Sequence, residues 1–174
     1  MPIPRLELRV HPQELAAYAA RFGETDDGPL FALGERARTR GYLTRAEFLA
    51  LCAWKTPRSR GLCSANTSWR VRRSTGAALA AVDEADRIGA LLGLDGVGMP
   101  TASVILHFVH AEPYPVLDVR ALWSVGVDNS STISHTIDLW FAYTRVCREL
   151  ASATNLSMRA VDRALWQYSK ENQR

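Results

Sequence analysis

Two glycines separated by one valine, with an apolar run on either side, constrain this chain more than any other feature. The stretch from Leu91 to Val125 reads Leu91-Leu92-Gly93-Leu94-Asp95-Gly96-Val97-Gly98-Met99-Pro100-Thr101-Ala102-Ser103, then an apolar run, then Pro113-Tyr114-Pro115-Val116-Leu117-Asp118-Val119-Arg120. Gly96 and Gly98 can take positive φ and carry no side chain to block an approaching surface. The helix expected after them offers unpaired backbone N–H groups at its positive end, which suits a phosphate. Thr101 and Ala102 are small, so two helices can pack closely. Residues 83–110 therefore read as a helix-hairpin-helix, a clamp on a nucleic-acid backbone that is indifferent to base sequence.

A chain of 174 residues is one domain by size, spanning 1–174, or two small lobes sharing a cleft. Its 47% hydrophobic content is ample for a core. No run approaches the length of a membrane span, and Met1-Pro2-Ile3-Pro4-Arg5 lacks a signal-peptide apolar region. Cys52, Cys63 and Cys147 are odd in number and far apart, which points to reduced thiols and a cytoplasmic location. The net charge of +3 hides an asymmetry. From Glu35 to Arg73 ten basic residues (Arg36, Arg38, Arg40, Arg45, Lys55, Arg58, Arg60, Arg70, Arg72, Arg73) face only Glu35 and Glu47, so this segment holds +8 and the remainder −5. Such concentration fits a footprint for a polyanion, and equally a solvated helical surface. Arginine supplies 19 of the 21 basic residues, and its planar fork suits phosphate better than a lysine does.

Helical spacing recurs along the chain. Leu15, Tyr18 and Phe22 follow a proline in a first turn, and a second helix over Leu30–Arg40 stops at Gly41. Thr44 to Glu47 form a capping box opening an apolar helix, Phe48 to Trp54, which runs out into a basic loop, Lys55 to Gly61. Helices are expected over 64–81, 83–92, 99–110 and from Asp118 to about Gly126. A polar loop, Asp128 to Thr132, precedes two closing helices, roughly 135–153 and 158–170, the last behind a Ser157 N-cap. Only Arg5–Val10 alternates as a strand would. The expected architecture is all-α, an orthogonal bundle of about nine helices.

Gly96-Val97-Gly98-x-x-Thr101-Ala102, followed by a Pro/Val-rich turn and an aspartate 20 positions after Gly98, resembles the helix-hairpin-helix DNA glycosylases of base excision repair, the superfamily of endonuclease III and the adenine mismatch, 8-oxoguanine and alkyladenine glycosylases. The likeness covers about a fifth of the chain. It implies binding to double-stranded DNA by a monomer, which would be nucleoid-associated when bound. It also implies a catalytic role for Asp118 within 113–125, and backbone contacts at Gly96, Val97, Gly98 and Thr101. Relatives often hold a monovalent cation on hairpin carbonyls, here around Leu94, Gly96 or Val97. The iron–sulfur cluster of some relatives needs closely spaced cysteines, which this chain lacks.

A carboxylate at Asp118 suits glycosidic chemistry. Breaking an N-glycosidic bond builds positive charge on the sugar, which a fixed carboxylate can stabilise while orienting or deprotonating a water. The same residue at a helix start reads equally as a plain N-cap. Bifunctional relatives place a Schiff-base lysine two residues after the second glycine, where this chain has Pro100. The resemblance is therefore to the monofunctional, hydrolytic branch. The only lysines are Lys55 and Lys170, and Lys55, in the basic loop, is the sole candidate for any lyase step. Lys55, Arg58, Arg60, Arg70, Arg72, Arg73 and Arg120 are candidates for phosphate contact. Trp54 and Trp69, each beside basic residues, can stack or wedge into DNA or end a helix as core, and Asn66 is a further candidate for the base pocket. Tyr42 and Trp123 suit a pocket or packing. His107 and His110 lie three apart but lack a third ligand, so no metal site is expected. The leading reading is a monofunctional DNA glycosylase; the alternative is a DNA-binding protein on the same scaffold without catalysis.

Overall fold

Six of the ten α-helices among the described residues start where a short polar side chain takes up one of the first free amides. The Thr44 hydroxyl accepts the Glu47 N–H while the Glu47 carboxylate accepts the Thr44 N–H, closing the expected capping box. Thr67, Asp83, Asp118, Thr136 and Ser157 cap their helices more simply, each side chain accepting one backbone N–H of the first turn. The computed structural model describes residues 6–128 and 135–173. Arg5 and positions 129–132 of the expected polar loop lie outside the described residues. In chain order the helices are α1 (Leu15–Arg21), α2 (Gly28–Arg40), α3 (Arg45–Lys55), α4 (Arg60–Ser64), α5 (Ser68–Ala80), α6 (Glu84–Leu92), α7 (Met99–Val109), α8 (Val119–Ser124), α9 (Ile137–Thr154) and α10 (Met158–Asn172). Short 3-10 turns cover Pro12–Glu14 and Pro57–Ser59. The protein is all-helical: the described residues contain no strand, and 6–10 is irregular. No helix among them is long and apolar enough to cross a membrane.

The chain divides into two compact units, one of residues Asp26–Glu112 and the other of Met1–Thr25 with Pro113–Arg174. In the first, α7 is the central helix. Ten of its eleven residues are buried, as an apolar run on every face requires. α2, α3 and α6 pack against it, and α5 packs on α6. Close approach of α2 to α7 depends on Gly34, where a Cβ would lie 1.8 Å from the Phe108 carbonyl oxygen. Arg38 donates to the carbonyls of Phe108 and Val109 at 3.5 and 3.2 Å, meeting acceptors that the end of α7 leaves open.

The basic loop expected at 55–61 is instead a 3-10 turn running into α4. Five residues are too few for helical periodicity to announce themselves, and only Pro57 at the turn's first position hinted at it. α4 buries Cys63 beside Cys52 of α3, although the two are far apart in sequence. Burial pushes the Cys52 thiol well above its ordinary range, and the neighbouring Cys63 adds to the shift. All three cysteines are free and buried.

In the second unit α10 packs against α1, α8 and α9. Aromatic edges join α1 to α10: Tyr18 against Tyr168 at 5.1 Å and Phe22 against Trp166 at 5.2 Å. Tyr114 stacks on Trp140 of α9, and the Ser124 hydroxyl of α8 donates to the Leu165 carbonyl at 2.6 Å.

Candidate functional site

The two glycines of the 93–98 loop are glycines for different reasons. Gly96 has φ +76°, and a Cβ there would meet the Cys63 backbone N and Sγ at 2.8 Å and Leu62 Cβ at 2.9 Å. Its bare Cα is required by the protein's own packing rather than by an outside surface. Gly98 has an ordinary φ of −96° and is exposed, and a Cβ there would touch only Pro100 Cδ at 3.8 Å. Nothing inside the unit demands glycine at that position. It begins α7 with no side chain over the first amides, and Pro100 follows in the first turn.

Three side chains hold this loop in place. Asn66, buried at 1% exposure, donates from Nδ2 to the carbonyls of Cys63 and Asp95 and accepts the Asp95 N–H on Oδ1 at 3.0 Å. Arg70 pairs with Asp95 at 2.6 Å and donates to the Gly93 carbonyl at 3.0 Å. The Cys63 thiol donates to the Gly96 carbonyl at 3.6 Å. Asn66 is therefore a positioning residue of the loop rather than part of a base pocket. Val97 and Thr101, expected at the DNA surface, bury their side chains at 7% and 4% exposure, so only their backbones can contribute to contact. Of the carbonyls named for a cation, Leu94 accepts the Val97 N–H and Gly96 accepts the Cys63 thiol.

The basic segment splits into two groups. Arg38, Arg45 and Arg70 are engaged with backbone carbonyls, and Arg40 with Glu47 and the Tyr42 carbonyl. Arg36, Arg58, Arg60, Arg72 and Arg73 are exposed and form no ion pair among the described residues. Arg60 lies on α4, the element in contact with Gly96. Leu62 on that same helix is 64% exposed, a neighbour of the loop that no motif in the sequence marks.

Trp54 divides between the two readings, at 37% exposure with its ring edge on Phe108 at 5.1 Å. Lys55, at the end of α3, is half-buried. Trp69 is 64% exposed, with the Arg73 guanidinium 5.1 Å from its ring centroid. Trp123 is a packing residue, stacked on Tyr168 under Arg9. His107 is buried against Phe31 and Phe108. Among the described residues no three His, Cys, Asp or Glu side chains group as a metal site needs.

In the other unit, Asp118 is half-buried and N-caps α8, its Oδ1 accepting the Arg120 N–H at 3.0 Å. The loop before it is fastened to α9. Tyr143 donates its hydroxyl to the Val116 carbonyl at 3.2 Å, and Arg148 donates to the Pro113 carbonyl at 3.1 Å while lying over the Tyr114 ring. Burial raises the Tyr143 phenol far above its usual range, and the charges of Asp162 and Asp118 push the same way, so it remains a hydrogen-bond donor at any physiological pH. Arg120 lies with its guanidinium 5.4 Å from the Trp166 ring, whose centroid is also 5.4 Å from the Lys170 ammonium. Comparison with family models, with curated proteins and with solved structures finds no match to this chain.

Proposed function

We propose that the chain binds duplex DNA through the 93–98 loop and the unpaired arginines, and removes a damaged or mismatched base as a monofunctional glycosylase. Asp118 would steady the positive charge that develops on the sugar as the C1′–N bond breaks. It would also take the proton from the water that adds at C1′, leaving an abasic site and the free base. Pro100 has no amine, so the route through a Schiff base at that position is closed.

The observation that carries the reading is Gly98: an exposed residue whose Cβ would meet only Pro100 Cδ, in ordinary contact at 3.8 Å, at the start of an eleven-residue helix that has no side-chain cap. Such amides donate to phosphate oxygens. A second reading is favoured by the Arg120 N–H on Asp118, which gives that aspartate a sufficient local role as a cap. On that reading the chain binds DNA without cutting it.

Two measurements test these readings. Phosphate contacts require duplex affinity to fall steeply as salt rises, and a flat salt dependence rejects both. Abasic-site formation on oligonucleotides carrying alkylated, deaminated or oxidised bases separates them: excision supports the glycosylase, and binding without excision on every lesion supports the binding protein.

A further inference from the structure

We propose that a cleft beside the start of α5 is a stacking site for an unpaired nucleotide of a DNA strand, with the base on the Trp69 indole and the phosphates on Arg72 and Arg73. The proposal rests on the nucleic-acid reading above and specifies which form of nucleic acid this surface takes. The cleft is lined by Tyr42, Ser68, Trp69, Arg72 and Arg73 and has a volume of about 660 Å³. That is within the roughly 300–1,000 Å³ of ordinary small-ligand sites.

The lining comes from helix geometry. Residues 69, 72 and 73 are spaced i, i+3 and i+4, so one face of α5 carries an indole and two guanidinium groups. Each arginine is ordered by a ring rather than by a carboxylate. Arg72 lies 4.4 Å from the Tyr42 centroid and donates to its hydroxyl at 3.1 Å. Arg73 lies 5.1 Å from the Trp69 centroid. Neither forms an ion pair among the described residues, so two held positive charges border a large aromatic surface that is 64% exposed.

Those features select the occupant. Two arginines without an acid call for an anion, and a planar guanidinium matches phosphate oxygens. An exposed indole calls for a flat partner, and a base offers its face only when it is unpaired and unstacked. Paired duplex presents phosphates and base edges, which would use the arginines and leave the indole in water. A single-stranded nucleotide uses both.

The test is fluorescence anisotropy with a labelled oligothymidylate and a labelled blunt duplex, on the wild-type chain and on the Trp69→Ala, Trp69→Phe and Arg72→Gln/Arg73→Gln variants. Trp69 is exposed, so its replacement should leave the thermal melt unchanged. Trp69→Ala is expected to weaken oligothymidylate binding about tenfold and duplex binding less than about twofold, with Trp69→Phe keeping most of the affinity. The double arginine variant should lower the salt slope for oligothymidylate by about 1.4. Equal losses on both probes for Trp69→Ala, no loss on the single strand, an unchanged slope for the double arginine variant, or ready displacement of oligothymidylate by an acidic tyrosine peptide overturns the proposal. A chain that binds and excises from duplex but ignores Trp69 keeps the glycosylase reading and loses this one. Trp69-dependent binding of oligothymidylate without duplex binding or excision does the reverse.

Discussion

α7 and α8 begin in opposite ways. The first opens on Gly98, exposed and without a side chain to lay over its amides. The second opens on Asp118, whose carboxylate already holds the Arg120 N–H. Every helix start leaves orphan donors, one fewer in α7 because Pro100 in its first turn has no N–H. α8, like α3, α5 and α6, satisfies one of them with its own N-cap side chain, whereas α7 has no side-chain cap. On the proposed reading the difference gives the two ends of the Leu91–Val125 stretch different capacities: the glycine end would receive an anion, and the aspartate end already contains one. A carboxylate has about four lone-pair sites, so capping α8 does not bar Asp118 from holding a water as well.

The strongest way to break this contrast is Asp118→Asn. Asparagine caps as well as aspartate does, so α8 should survive while the charge is lost. Base excision is expected to fall by a factor of about 10²–10⁴, with duplex affinity and thermal unfolding nearly unchanged. Turnover at the wild-type rate would leave Asp118 a cap and nothing more. Gly96→Ala comes next: the strained φ and the crowded Cβ together should lower stability by about 2–4 kcal/mol in urea unfolding. An unaffected midpoint would mean that Gly96 is not held by Cys63 as described.

Gly98→Asp sharpens the comparison by making α7 begin as α8 does. The pocket-free surroundings admit the side chain, and stability should rise by a few tenths of a kcal/mol. Duplex affinity, in contrast, should drop roughly tenfold, because the new carboxylate occupies and repels what the amides would bind. A gain in stability with no loss of affinity would place the DNA elsewhere.

The smallest effect concerns α3, the most completely self-capped helix start. Burial alone would raise the Glu47 carboxyl, but the Thr44 N–H and hydroxyl and the Arg40 guanidinium outweigh it and hold it below the usual carboxylate range. Its contribution is therefore fully present above the ordinary glutamate range and is lost as pH falls through the depressed folded value. Glu47→Gln should cost about 0.5–1 kcal/mol at neutral pH. The gap between variant and wild type, read from urea midpoints, should close in acid; a gap constant with pH counts against the assignment.

Capping residues and apolar spacing made the helices legible, because Thr44, Asp83 and Ser157 act on neighbours only two or three residues away. α4 was hidden because it is shorter than two turns and is held by tertiary contacts at Cys63. At the candidate site the residue types were readable but their partners were not. Arg70 and Arg72 differ by two positions and look alike in a basic run, yet one is tied to Asp95 across the loop and the other is turned to Tyr42. Asn66 was visible as a polar residue among basic ones, but its partner Asp95 lies 29 positions away. No local pattern encodes such a pairing.

Asn66 also sets how the loop would behave in solution. With its carboxamide bridging two segments from a buried position, Asn66 holds the 93–98 loop in one shape, and on the proposed reading that shape would be kept on binding. Association would then carry little entropic penalty for ordering, and recognition would be the meeting of a rigid surface with a strand. Asn66→Ala would convert that rigid encounter into coupled folding and binding, visible as a slower approach to the complex and a larger change in heat capacity.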